Sequence, residues 1–214
     1  MLKKYKKTLL ITSAVILLPI AVGLIYWDRL PDPMATHFGM NNEADGFTGK
    51  AFAVFGLPLL MLAVQWISAF VTMHDPRRQN ISGKLFTMIL WLIPVITLVG
   101  SAYLYVYNLG HRPNMAVFSR LLLGIVFLVV GNYLPKIRQN YSIGIKVPWT
   151  LADEDNWNRT HRLAGALWMG CGLCLCILAL TGNESLFWTL VPIVIATAVP
   201  VIYSFLQYRS GLNG

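Results

Sequence analysis

The sequence predicts an all-α, polytopic integral membrane protein with six transmembrane helices and both termini in the cytoplasm, and three observations predict it. Of 214 residues, 56% are hydrophobic and only 12% are charged, which leaves too little polar surface to coat a soluble globule of this size. Six separate stretches come close to or exceed the roughly 20 apolar residues that a spanning helix needs. The basic residues are also distributed unevenly between the connections, as the topology of a membrane chain demands.

The expected spans run from Thr8 to Trp27, Ala51 to Met73, Leu85 to Tyr107, Met115 to Leu134, Leu163 to Leu180 and Leu186 to Leu206. The first follows Lys3, Lys4, Lys6 and Lys7 and so resembles the start of a secretory signal. Its apolar stretch is too long for a signal core, however, and no clear small-x-small cleavage site follows it before Asp28 and Arg29, so it is expected to stay as a span. Runs such as LLLGIVFLVV are apolar on every face, whereas the strands of a barrel would alternate. Pro19, Pro58, Pro94, Pro192 and Pro200 fall inside spans, where neighbouring helices and hydroxyls take up the freed carbonyls.

With the N-terminus inside, the cytoplasmic segments collect 13 of the 17 Lys and Arg; Arg29, Lys50 and Arg112 lie outside and Arg120 within a span. The same distribution accounts for the net charge of +8, and no basic run interleaved with aromatics forms a nucleic-acid face, so direct binding to nucleic acid is not expected. Cys171, Cys174 and Cys176 all lie in the fifth span without a neighbouring His or carboxylate, which marks them as small buried hydrophobes rather than metal or redox groups. No cofactor is implied.

The whole chain, 1–214, reads as one integral membrane domain, with an N-terminal helical hairpin over 8–73 and a C-terminal region over 115–208. Its two long connections, 28–50 outside and 135–162 inside, far exceed the roughly 2–8 residues usual between packed helices, and their composition argues for order. In the outer loop, Asn41, Asn42 and Asp45-Gly46 are turn formers, and acidic residues outweigh Arg29 and Lys50. His37 with these carboxylates offers ligands to a divalent cation, but the spacing matches no specific motif, and a folded, uncomplexed loop is the simpler reading.

In the inner segment Pro148 keeps Val147 extended, Thr150 is expected to cap a helix with Asp153 completing a capping box, and no breaker intervenes from Leu151 to Gly165. One continuous helix into the fifth span follows. On it Trp157, His161, Ala164 and Trp168 share a face, which reads either as an aromatic anchor at the membrane boundary or as a protein-docking surface. Arg159 and Arg162 suit anionic headgroups.

The stretch GNYLPKIRQNYSIGIKVPWTLADEDNWNRTHR, 131–162, resembles the signature of the SdpI family, immunity proteins against a secreted sporulation-delaying peptide toxin. Gly131, Asn132, Pro135, Lys136, Asn140, Gly144, Pro148, Trp149, Thr150, Leu151, Trp157 and Arg162 each fall where that pattern places them. The loop LPDPMATHFGMNNEADGFTGK is similar to a short membrane module of unknown function that often precedes it, with His37, Asp45, Gly46 and Lys50 at recognisable positions. The resemblance implies a multispanning, non-enzymatic protein of the bacterial cytoplasmic membrane that protects its producer against a bacteriocin-like secreted peptide toxin. As in the founding member, it also implies a signal-transducing receptor that sequesters a cytoplasmic transcriptional repressor.

The expected cytoplasmic surface is Asn132, Pro135, Asn140, Pro148, Trp149, Thr150, Trp157, His161 and Arg162, and the expected outer site is His37, Asp45, Lys50 and Arg120. Arg120 either snorkels to outer headgroups or pairs with a carboxylate of the outer loop such as Asp45, or with an anionic group on a ligand. The alternative function is a small membrane transporter, for which only Gln65 and Arg120 lie well within spans. Acid–base pairs such as His37 with Asp45, or His161 with the 153–155 carboxylates, are present, but no nucleophile elbow, zinc helix or phosphate loop accompanies them.

Overall fold

The computed structural model of the chain describes residues 2–39, 43–182 and 185–211. Among them six helices are long and apolar enough to cross a membrane: Lys4–Ile25, Phe52–Met73, Gly83–Asn108, Met115–Lys136, Glu154–Leu180 and Leu186–Gly211. Between 22 and 33% of each span window is buried within the protein. The remaining apolar surface faces outward, an arrangement that lipid permits and water does not. The chain packs as two units, Met1–Met73 with Phe86–Met115 and His74–Leu85 with Ala116–Gly214.

The first unit holds α1 (Leu2–Ile25), strands β1 (Met34–Phe38) and β2 (Ala44–Thr48), α2 (Leu57–Met73) and most of α3 (Gly83–Asn108). One π-helical turn, Phe52–Gly56, precedes α2, whose second residue is Pro58. Proline has no N–H to close the ordinary ladder, and the wider turn absorbs the defect. Polar pairs join α1 to α2: the Gln65 amide donates to the Thr12 hydroxyl at 2.6 Å, and the Trp66 indole to Ser13 at 3.2 Å. On α3 the Tyr105 hydroxyl donates to the Pro19 carbonyl at 2.9 Å. A Cβ at Gly23 would lie 2.6 Å from Val54 Cγ1 and 2.8 Å from that hydroxyl, so only glycine admits this approach.

The ordered 28–50 connection takes the form of a β-hairpin. β1 and β2 pair antiparallel, and the Asn41–Asn42 turn expected between them lies outside the described residues. Leu30 and Met34 enter a buried cluster with Ala53, Val54 and Tyr105, and the ring of Phe38 meets those of Tyr103 and Tyr107 edge-on at 5.2 and 4.6 Å. The Asn108 side chain closes the free edge of β1 as a second peptide group would, accepting from the Ala35 N–H at 2.8 Å and donating to its carbonyl at 2.9 Å.

The second unit holds α4 (Met115–Tyr133), a 3₁₀ turn (Leu134–Lys136), α5 (Pro148–Ala152), α6 (Glu154–Leu180) and α7 (Leu186–Gly211). Helices α6 and α7 run antiparallel, joined by the Trp168 indole donating to the Ala196 carbonyl at 3.1 Å and the Asn156 amide donating to the Ser204 carbonyl at 2.8 Å. Helix α4 approaches α6 through glycines spaced seven apart on each. A Cβ at Gly172 would lie 2.7 Å from the Gly124 carbonyl oxygen, and one at Gly165 would lie 2.9 Å from that of Gly131. Small residues at such a crossing let backbones meet where lipid supplies no hydrophobic drive.

The single helix expected from Leu151 is interrupted. At Asp153 the backbone is extended (φ −131°, ψ 122°), and the carboxylate accepts the Asp155 N–H at 2.8 Å, capping α6. The helix that carries the fifth span therefore begins at Glu154, and the capping role expected of Thr150 belongs to Asp153.

Candidate functional site

The two segments 74–85 and 135–162 form one hydrogen-bonded module, built from polar side chains that satisfy backbone groups. Asp75, only 3% exposed, is its hub. One carboxylate oxygen accepts the Arg77 N–H at 2.7 Å, and the other accepts the Tyr141 N–H at 2.9 Å together with the Ser142 hydroxyl. The Gln139 amide accepts from the Arg77 guanidinium and donates to the carbonyls of Thr150 at 2.8 Å and Leu151 at 3.0 Å. The Gln139 carbonyl in turn accepts from Asn80 at 2.7 Å. Asn140, fully buried, accepts the N–H groups of Ser142 and Ile143 at 2.9 and 2.7 Å, which shapes the turn that follows.

Around Trp157 the segment folds over α6. The indole has no exposed surface; its N–H donates to the Ile137 carbonyl at 2.7 Å, and its ring stacks on His161 with centroids 4.0 Å apart. His161 donates from Nδ1 to the Trp157 carbonyl at 2.8 Å and accepts the Ile145 N–H at Nε2 at 2.9 Å, a pattern only the neutral ring makes. Gly144 lies at φ +117°, and a Cβ there would run into the His161 Nε2 and the Trp157 ring. Thr150, also without exposed surface, donates to the Ile145 carbonyl at 2.7 Å and accepts the Val147 N–H at 3.2 Å. Its hydroxyl ties the start of α5 back to the turn. Trp149 reaches α7, where its indole donates to Ser204 at 2.6 Å beside Phe205 and Tyr208.

The expected surface residues thus divide. Asn140, Thr150, Trp157 and His161 are buried and hold the module together, which replaces both the anchor and the docking reading of Trp157; Trp149 is half-buried. Asn132, Pro135, Pro148 and Arg162 are exposed, as are Arg78, Lys84, Lys136, Arg138, Lys146 and Arg159. Asp75, Arg77 and Gln139 escaped the sequence reading. A lone acid in the basic run HDPRRQN was the available signal, but its partners lie more than sixty positions away.

At the hairpin, His37 Nδ1 meets Asp45 at 2.5 Å with both side chains exposed. The Lys50 ammonium donates to the carbonyls of Trp27 and Leu30 at 3.1 and 3.0 Å, closing the base of the loop on the end of α1. Arg120, 2% exposed, is buried rather than snorkelling, and donates to the Thr189 hydroxyl at 2.8 Å and the Ser185 carbonyl at 3.0 Å; the Asp45 carboxylate goes to His37 instead. Among the described residues, no three His, Cys, Asp or Glu side chains gather as a metal site.

Fold and site together define a multi-pass helical membrane protein with an ordered module between its spans. Residues 136–204 match the model of the SdpI/YfhL protein family, and residues 14–62 match a domain of unknown function, DUF1648. Immunity protein SdpI of Bacillus subtilis (strain 168) is 24% identical over 210 residues, 96% of this chain and 97% of that protein. No solved structure matches. The chain thus carries a region of SdpI/YfhL type and is similar to an immunity protein along nearly its whole length.

Proposed function

We propose that the protein is a non-enzymatic immunity protein of the bacterial cytoplasmic membrane, protecting its cell against a secreted peptide toxin. In this reading the hairpin faces outward and the 74–85 and 135–162 module faces the cytoplasm, where it receives a soluble partner such as a transcriptional repressor. The observation that carries the reading is similarity along nearly the whole chain to an immunity protein, with 69 matched family residues, 136–204, that include most of the hydrogen-bonded module. The module's buried side chains fix its shape, and its exposed basic rim supplies a face for an acidic partner or for anionic headgroups. A carrier would need polar groups open to cargo within the spans. Gln65 and Arg120 instead bond to residues of neighbouring helices.

The test is expression of the chain in Bacillus cells that lack their own immunity protein, challenged with the sporulation-delaying peptide. Survival is expected, and cells that accumulate the protein in the membrane yet die at the rate of the empty host would overturn the reading. The exposed pair Arg138→Glu and Arg162→Glu should leave protection intact and abolish recruitment of a cytoplasmic partner to the membrane fraction.

A further inference from the structure

A pocket of about 460 Å³ opens between the hairpin and the end of α3. Pro31, Pro33, Ala35, Phe47 and Tyr107 form apolar walls, and Arg112 provides a cation. The walls are fixed before any ligand arrives. Asn108 clasps Ala35 through two hydrogen bonds, Phe38 meets Tyr103 and Tyr107, and Lys50 pins the carbonyls that enter the loop. Such a cavity does not collapse to satisfy its own lining, so it is preorganised for a guest.

Two features of the lining go unexplained by the fold. Phe47 is 57% exposed on a short strand, although aromatic area is among the most favourable to bury. Arg112, exposed at the rim, makes no ion pair or hydrogen bond among the described residues, although it borders a concavity with apolar walls. Together they ask for a ligand with an apolar body and one negative charge. Glu43 also lines the pocket and disfavours a multiply charged anion. The walls come from the hairpin, from Tyr107 and Asn108 at the very end of the α3 span, and from Gly110 and Arg112 beyond it, so most of the lining lies past the stretch that meets acyl chains, which favours a peptide over a lipid.

The geometry points to this pocket as the docking site for an apolar peptide segment bearing a carboxylate, with Arg112 pairing the carboxylate and Phe47 and Tyr107 holding the adjoining side chain. The inference rests on the immunity reading for the identity of the peptide, and it supplies the place where an extracellular peptide first meets the chain.

The test uses the full-length protein in phosphatidylcholine nanodiscs, titrated with N-acetyl-Val-Leu-Phe as the free acid and as its C-terminal amide. The acid should bind saturably. The amide, and the acid on Arg112→Gln, should bind about tenfold more weakly or worse, because a charge-assisted pair is lost, with Arg112→Lys partly restoring affinity. Phe47→Ala should weaken both forms. Equal binding of acid and amide, unchanged binding by Arg112→Gln, or no saturable binding overturns the proposal. So does Arg112-dependent retention of phosphatidylglycerol in mixed discs without acid binding, which would make this a headgroup site. In cells, Arg112→Gln and Phe47→Ala should lose protection while accumulating normally; full protection by both removes the pocket from toxin contact and leaves the immunity reading standing. Wild-type protein that binds the acid but fails to protect overturns the immunity reading and leaves the pocket in place.

Discussion

A tryptophan without exposed surface must still place its indole N–H, and Trp157 gives it to the Ile137 carbonyl 2.7 Å away while its ring covers His161. Removing the side chain would open a cavity and leave that carbonyl unsatisfied. Trp157→Ala should therefore lower stability by about 3–5 kcal/mol. Trp157→Phe keeps the stack and loses the hydrogen bond, at about 1–3 kcal/mol. Unfolding of the purified protein in detergent should rank wild type above Phe above Ala. If all three melt together, Trp157 is the boundary anchor that its helical position suggests and not a core residue. Thr150 belongs to the same logic. Its hydroxyl serves Ile145 and Val147, so Thr150→Val, nearly isosteric, isolates the bonds from the volume and should cost about 1–3 kcal/mol in the same assay.

At the scale of elements, the α4–α6 crossing and the module between spans decide the second unit. Gly170 and Gly172 stand two residues apart on α6 and face opposite surroundings: a Cβ at 170 meets nothing within 4 Å, whereas one at 172 would lie 2.7 Å from the Gly124 carbonyl oxygen. Gly170→Ala should be neutral or stabilising by up to about 1 kcal/mol through helix propensity. Gly172→Ala should destabilise by about 1–3 kcal/mol, since backbone and not a flexible side chain has to move. Equal melting of the two variants would dissolve the claimed contact.

This contrast also shows what was legible in the sequence. The spans were, because about 20 apolar residues in a row are a local property. The sevenfold spacing of Gly124 with Gly131 and of Gly165 with Gly172 was visible, yet nothing local says which stripe meets which. The break at Asp153 was missed because an acidic helix start reads equally well as a continuing first turn. The module's order was legible from its turn and cap residues. Its wiring was not, because Asp75 bonds to Tyr141 and Trp149 to Ser204 across long sequence separations. The hairpin was hidden for a different reason: two five-residue strands carry too little alternation to stand out.

For the whole molecule, the remaining question is orientation, and it turns on the basic residues rather than on packing. The hairpin follows one span, whereas the 74–85 and 135–162 stretches of the module follow two and four, so threading by count predicts them on opposite sides of the bilayer whichever way the chain inserts. Lys and Arg break the tie. Lys3, Lys4, Lys6 and Lys7 precede the first span, and the 74–85 and 135–162 segments add Arg77, Arg78, Lys84, Lys136, Arg138, Lys146, Arg159 and Arg162, whereas the opposite side holds only Arg29, Lys50 and Arg112. Translocating the first group would cost far more than translocating the second, so the N-terminus is expected inside. With Cys171, Cys174 and Cys176 replaced by serine, single cysteines at the exposed positions 43, 111, 78 and 154 give the measurement. An impermeant thiol reagent added to intact cells should label 43 and 111 and should reach 78 and 154 only after the membrane is opened. Labelling of 154 in intact cells would invert the chain, and would place the hairpin pocket in the cytoplasm, where no secreted peptide meets it.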